Sequence, residues 1–296
     1  MDKKINKLID DFLLHLKLAR KSEMTVRNYE FYLRRFLKFS HNPPSEKINL
    51  VMIDKYREWL SKLPEKNPQL FPKEKVMKAN TKNYHLIAIR SFLKYLRRRG
   101  INVLRPEKIK LETVPKQTRE FLSESEMERI LEAPLETEAE EIIKYRDKAI
   151  LEVLLATALR VGELASLKKG DIRQEGVWVL GKNEVKRRVV LGNQAKHWIK
   201  KYLEKRKDKT PALFVGHDRA AKKRRVKQYI PKNNLTSRSI QRIVAKYGKM
   251  AGIGKKITPQ VIRNSLANQM IRQGMGKKEV AGVMGYESLV SVKRYE

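Results

Sequence analysis

Residues 258–295 read TPQVIRNSLANQMIRQGMGKKEVAGVMGYESLVSVKRY, and this stretch decides the fold. Thr258 suits a helix N-cap, and Pro259 suits the first helical position after it. Val261, Leu266, Met270 and Ile271 fall on roughly one helical face, and Gly274 predicts the stop. A second short helix is expected from about Lys277 to Met284, closed by Gly285. Four polar residues stand out in this frame: Gln260, Arg263, Tyr286 and Tyr295. Gln260 and Arg263, three apart, share a helical face. Tyr286 follows the closing glycine, and Tyr295 lies nine residues further on. Taken singly, a surface ion pair would explain the arginine, and an amphipathic anchor would explain either tyrosine.

Composition narrows the partners. The chain has 296 residues, which suggests about two domains. Its 67 Lys and Arg against 33 Asp and Glu leave a net charge of +34. So basic a surface predicts a polyanion, with nucleic acid foremost. There is no cysteine, which excludes disulfides and thiolate metal sites. The five histidines have no metal-ligand spacing, so no histidine metal site is expected. The longest apolar run, Ala149 to Leu159, is too short for a membrane span and contains Glu152. The N-terminal MDKKINKLIDDF lacks a signal peptide's apolar core. A cytoplasmic protein without membrane contact is the expectation.

The polar set of residues 258–295 resembles the C-terminal box of the tyrosine site-specific recombinases, of the lambda-integrase and Xer type. That pattern runs His-x-x-Arg-His, then Leu-Gly-His, then a tyrosine nine residues after the last histidine. Here Gln260, Arg263, Asn264, Gly285, Tyr286 and Tyr295 occupy the matching positions. The arginine, the glycine, the tyrosine and the spacings agree, whereas all three histidines are replaced. Upstream, TALRVGEL at 157–164 is similar to the family's Thr-Gly-Leu-Arg-x-x-Glu-Leu, with Ala158 in the glycine's place. Arg160 there sits among Leu155, Leu159, Val161 and Leu164. A buried arginine needs a partner. An ion pair with Glu163 and a rigidly held phosphate ligand both answer that need.

The rest of the chain is consistent with two domains. Residues 1 to about 110 read as a helical bundle. Its first stripe is Ile5, Leu8, Ile9, Phe12 and Leu16. A second helix, which Thr25 can cap, carries Val26, Tyr29, Leu33, Phe36 and Leu37. A third carries Ile53, Tyr56, Leu60 and Leu63, and a fourth, Asn80 to Arg98, carries Tyr84, Ile87, Phe92 and Tyr95. Asn42-Pro-Pro-Ser and the Pro64, Pro68 and Pro72 segment are breaks. NYEFYLRRFLKF and AIRSFLKYLRRRG also look like the family's N-terminal DNA-binding domain. Arg27, Arg34, Lys82, Arg90 and Lys94 could meet phosphates there, or simply face solvent.

Residues 105–120 are polar and form the candidate linker, bounded at 111–120 between the bundle and a second domain at 121–296. Ser123 and Glu126 form a capping box for a helix with Met127, Ile130 and Leu131 inward. Val177–Leu180 and Arg187–Leu191 predict a hairpin. The family's catalytic lysine lies on this hairpin, where Lys186 fits its context and Lys182 competes. Leu213–Val215 reads as a short strand. The basic run after it, with Lys222, Lys223, Arg224 and Arg225, reads as a DNA-contacting loop. Ser237 to Lys249 is a further helix with Ile240, Val244 and Tyr247.

The expected fold is therefore mainly α, an N-terminal bundle plus an α+β catalytic domain with a small sheet. The resemblance implies strand cleavage and rejoining of double-stranded DNA through a 3′-phosphotyrosine at Tyr295. Arg160 and Arg263 would clamp the phosphate, Lys186 would protonate the leaving oxygen, and Gln260 and Tyr286 would bond the phosphate. It also implies four protomers on two duplexes, and no metal or other cofactor, because the phosphotyrosine ester stores the energy of the broken bond. A relaxing enzyme of the type IB topoisomerase kind and a catalytically impaired DNA-binding protein are the alternatives. Glu296 follows Tyr295 directly, so Tyr295 is expected on a poorly tied segment, with Leu289, Val290 and Val292 as anchors. The free protein is expected to be monomeric.

Overall fold

The computed structural model describes residues 2–63, 77–115, 118–173, 176–180, 186–217, 234–286 and 288–295. It is mainly helical, with one three-stranded antiparallel sheet. The chain divides into two compact units, Met1–Gln117 and Thr118–Glu296.

The first unit is built on α1 (Asp2–Leu18), α2 (Glu23–Phe39), α3 (Leu50–Lys62) and α4 (Ala79–Arg98). Ile5, Ile9, Phe12 and Leu16 of α1 meet Leu33, Phe36 and Leu37 of α2 and Ile53, Tyr56 and Leu60 of α3 in one core. Ser22, rather than Thr25, caps α2, and its side chain accepts from the Thr25 backbone N–H. On α4 the inward stripe is Leu86, Ile89, Phe92, Leu93 and Leu96, and Tyr84 points out, 56% exposed. Spacings of three and four residues link the members of that stripe, and a face begun at Tyr84 misses most of them. His85 is buried instead, bonded to the Tyr56 hydroxyl at 2.8 Å. Burial, with Arg35 adding, pushes the His85 pKa down to about 4.

The stretch read as a linker is bundle in its first half. Ile109 is buried in the core. Asn83 donates to Glu112 O and accepts from Glu112 N, both at 2.9 Å. Lys82 pairs with the Glu112 carboxylate at 2.8 Å. The Pro64, Pro68 and Pro72 segment lies outside the described residues.

The second unit contains α5 (Glu124–Glu132), α6 (Glu141–Thr157), α7 (Val161–Ser166), α8 (Asn193–Glu204), α9 (Ser237–Met250), α10 (Pro259–Arg272) and α11 (Lys277–Met284). The Ser123–Glu126 capping box opens α5. Central α6 is buried without a break from Arg146 to Leu154, so that part of it meets protein on all sides. Its buried charges are accordingly paired: Arg146 with Asp147 at 2.7 Å, and Lys148 with Glu132 and Glu152. Strands β1 (Ile172–Arg173), β2 (Gly176–Leu180) and β3 (Lys186–Val189) run antiparallel in sequence order. Val179 faces Arg187 across the hairpin. Residues 212–215 form no strand. They make two isolated bridges, Lys168 to Ala212 and Val215 to Asn234.

Thr258 caps α10 with Pro259 at the start, and Gly274, at φ +82°, ends it. Its inward face differs from the expected stripe. Val261, Leu266, Met270 and Ile271 are half-buried, whereas Ile262, Arg263, Asn264, Ser265 and Ala267 are buried. Three of those five are polar, so this face must meet fixed hydrogen-bonding partners. No helix among the described residues is long and apolar enough to cross a membrane.

Candidate active site

Two helix ends meet at the site. α6 stops at Thr157, and Ala158 follows in the left-handed conformation at φ +50°. α11 stops at Met284, followed by Gly285 at φ +60°. A helix C-terminus leaves carbonyls without intrahelical partners and favours cations. Two arginines supply both needs. Arg263 of α10 donates one Nη to Ala158 O and the other to Met284 O. Arg160, which opens α7, donates to Gly285 O at 3.0 Å and to Glu163 Oε1 at 3.0 Å. The ion pair anticipated between Arg160 and Glu163 is thus present, and Gly285 O holds the same guanidinium from a second side. Arg263 is 2% exposed, and burial lowers its pKa. A guanidinium remains charged through such a shift.

Glu163 is held from two sides. Arg187 of β3 meets its carboxylate with both Nη atoms, at 2.9 and 3.0 Å. The Arg160 backbone N–H donates to Oε2 at 2.8 Å. Burial alone would raise the Glu163 pKa, but bonds from Arg187 and Arg160 hold it below the usual carboxylate range.

Against the arginines stand the two tyrosines. Their hydroxyls are 2.6 Å apart, and Tyr295 donates to Asn264 Oδ1 at 3.0 Å. Gln260 Nε2 donates to that same oxygen at 2.7 Å. The Arg263 guanidinium lies 5.1 Å from the Tyr286 ring centroid. Arg119 stands 5.1 Å from the centroid of Tyr295. Burial, then the bond to Tyr286, raises the Tyr295 pKa, while Arg119 and Arg263 oppose the rise. Tyr295 is therefore a neutral phenol at neutral pH, and its proton must leave when its oxygen attacks. A cleft of about 340 Å³ opens on Arg119, Arg160, Gln260, Arg263, Asn264, Tyr286, Ser291 and Tyr295.

The expectation of a poorly tied Tyr295 is overturned. Its ring is 7% exposed and packs with Val292, Ala267, Val280, Ala281 and Met284. Of the three anchors named, only Val292 is buried. Leu289 and Val290 are 42% and 63% exposed. The tyrosine ring itself supplies the missing apolar surface.

Five of the six residues read as catalytic, Arg160, Gln260, Arg263, Tyr286 and Tyr295, line the one cleft. Position 186 pairs with Leu180 in the hairpin. The side chain of Lys186, and all of Lys182, lie outside the described residues. So do Lys222, Lys223, Arg224 and Arg225. In the bundle, Arg27 pairs with Glu23, Arg34 with Asp10, and Lys82 with Glu112. Arg90 is half-buried and Lys94 exposed. Sequence reasoning missed Arg119, which sits in the stretch read as linker, and the grip of Arg187 on Glu163. No spacing signal marks the first. The second was visible only as an arginine beside the candidate lysine.

The phage integrase family model matches residues 120–296, and a model for the N-terminal SAM-like domain of phage integrases matches residues 9–100. The chain belongs to the phage integrase family. This integrase-family chain is 28% identical over 293 residues to the tyrosine recombinase XerA of Pyrococcus furiosus, covering 98% of its own length and 89% of that protein. It is 29% identical to the tyrosine recombinase XerC of Thermodesulfovibrio yellowstonii, covering 97% and 90%. Its fold is that of a lambda integrase fragment solved as a dimer bound to a COC′ core site. That match has a TM-score of 0.69 at 18% identity, over 98% of this chain and 94% of the other.

Proposed function

We propose that Tyr295 is the nucleophile of a site-specific DNA recombinase, and that Arg160 and Arg263 stabilise the phosphate it attacks. One observation carries this reading: the Tyr295 hydroxyl shares a single cleft with both arginines. The chain is an enzyme of the tyrosine recombinase type, which cuts and rejoins DNA. In this reading the Tyr295 oxygen bonds to a backbone phosphorus as the bond from phosphorus to the 5′-oxygen breaks. A 3′-phosphotyrosine and a 5′-hydroxyl result, and attack by a 5′-hydroxyl reverses the step.

Negative charge grows on the two non-bridging oxygens in the transition state. Donors already fixed in place stabilise that charge most, because they need no reorganisation. Each guanidinium has five N–H donors; Arg160 gives two to Glu163 and Gly285 O, and Arg263 gives two to Ala158 O and Met284 O and also bonds Tyr286. The remainder can serve a phosphate. Lys186, or Lys182 on the same hairpin, protonates the departing 5′-oxygen. Tyr286 and Asn264 orient the nucleophile, and Gln260 fixes Asn264. Glutamine cannot carry a proton as histidine does, so this role is purely orienting.

Double-stranded DNA is the substrate, and the +34 charge supports it. Lys94, Arg90 and the basic run at 222–225 are proposed phosphate contacts of the kind that position without reading sequence. A lambda integrase tetramer has been solved on a Holliday junction. By analogy we propose four protomers on two duplexes, assembled from free monomers. Light scattering with and without duplex tests this, and a free tetramer would refute the monomer.

Mixing the protein with a pool of nicked duplexes carrying a randomised central segment tests the chemistry. The nick lets the 5′-hydroxyl fragment diffuse away, so a cleaving enzyme accumulates as a denaturant-resistant covalent adduct. Sequencing the trapped DNA gives the target. No adduct from any member of the pool would leave a DNA-binding protein without cleavage.

A further inference from the structure

We infer that Arg187 is a positioning residue for Arg160, acting through Glu163; the inference rests on the role proposed above for Arg160. Arg187 is 16% exposed and Glu163 8%, so water does little to screen the pair. Both Nη atoms of Arg187 engage both carboxylate oxygens, which leaves the carboxylate one orientation. The same two oxygens accept the Arg160 side chain and its backbone N–H. The far end of Arg160 donates to Gly285 O.

Gly285 closes the circuit. A Cβ built there would lie 2.7 Å from Arg187 Cζ, so the guanidinium rests against the glycine backbone. Arg160, Glu163, Arg187 and Gly285 thus form a ring that spans α7, β3 and the end of α11. A lone Arg160–Glu163 pair could swing as a unit. Pinned by Arg187 from the sheet, it has one position, and Arg160 is aimed into the cleft before DNA arrives.

The test uses the full chain and a nicked duplex recovered from the selection above. The scissile linkage is made in two forms, as phosphate and as methylphosphonate. A methyl group replaces one non-bridging oxygen in the second form and removes its charge, so cleavage depends less on the arginine clamp. Arg187→Met should slow single-turnover cleavage of the phosphate by about 10- to 100-fold, the loss typical when the group orienting an active ligand is removed. The deficit on methylphosphonate should be much smaller. Arg160→Met should give the same pattern, and the double variant should be little worse than Arg160→Met alone, as coupled sites behave. Arg187→Lys should recover only part of the rate, since one ammonium cannot hold both oxygens.

Equal slowing on both linkages, or additive losses in the double variant, would overturn the inference. If Arg187→Met fails to fold, Glu163→Gln breaks the same link with an isosteric group, and the same two linkages decide. Failure of the underlying reading looks different, because the unaltered protein would then give no Tyr295 adduct on either linkage.

Discussion

Arg27 on α2 and Arg263 on α10 are the same side chain in two settings. Arg27 pairs with Glu23 one turn away, and the two side chains are 68% and 78% exposed. Arg263 is 2% exposed and bonds backbone carbonyls from two helix ends. On the surface, water competes for both partners and neither is held. In the cleft, solvent is gone and the acceptors belong to the backbone, so the guanidinium cannot move without breaking the packing. Both residues fit a phosphate-binding role by composition, but only the second is organised in advance. Preorganisation separates a charge that attracts DNA from one that can stabilise a transition state.

Tyr295→Phe should abolish adduct formation while leaving duplex affinity near that of the parent. Denaturing gels and binding titrations measure the two. An undiminished adduct would move the nucleophile to Tyr286, whose hydroxyl is 2.6 Å away. Next in size, Arg263→Ala should cut single-turnover cleavage by about 10²–10³-fold, the usual cost of one charge-stabilising donor. It should also lower the melting temperature, because Ala158 O and Met284 O lose their donor. Arg263 would otherwise be only a structural cap, and cleavage would then fall no further than folding does.

Gln260→His tests whether the replaced histidine limits the rate. A general acid–base group is worth about 10²–10⁴-fold, and the gain here should fall short of that because Asn264 is arranged around glutamine. A flat or slower rate in single turnover would mean that another group already moves the proton. Gly285→Ala puts a side chain where φ is +60° and where Arg187 already lies. The left-handed strain alone costs about 1–3 kcal/mol. Thermal unfolding measures it, and a loss no larger than that strain would show that Arg187 yields freely. The smallest effect belongs to Arg27→Ala. Exposed pairs contribute about 0.2–1 kcal/mol, so stability should barely move. Any loss of DNA affinity should shrink as salt rises.

Local order was largely legible in the chain. Thr258, Pro259, Gly274 and Gly285 begin and end their helices as read, and Ser123 with Glu126 forms its capping box. These signals act over three or four residues, so nothing distant needs to be known. The bundle stripes on α1, α2 and α3 were readable for the same reason, because a strong period of 3.6 states which face is inward. On α4 two overlapping stripes competed, and packing chose the one that exposes Tyr84. Five of the six residues that the family resemblance marks as catalytic do gather in one cleft.

Tertiary structure decided what those residues touch. Ala158 is 105 residues from Arg263 and Gly285 is 125 from Arg160, yet their carbonyls, with that of Met284, aim the two arginines. Arg119 reaches Tyr295 from 176 residues away in the chain, a separation that no local pattern records. Tyr295 was expected on a loose segment, with only Leu289, Val290 and Val292 as nearby apolar anchors. Its own ring instead buries itself against α10 and α11. Short-range hydrogen-bonding and steric preferences let the sequence by itself determine where helices start, stop and face. Which carbonyl meets which arginine depends on how separate elements pack, and that depends on the whole chain at once.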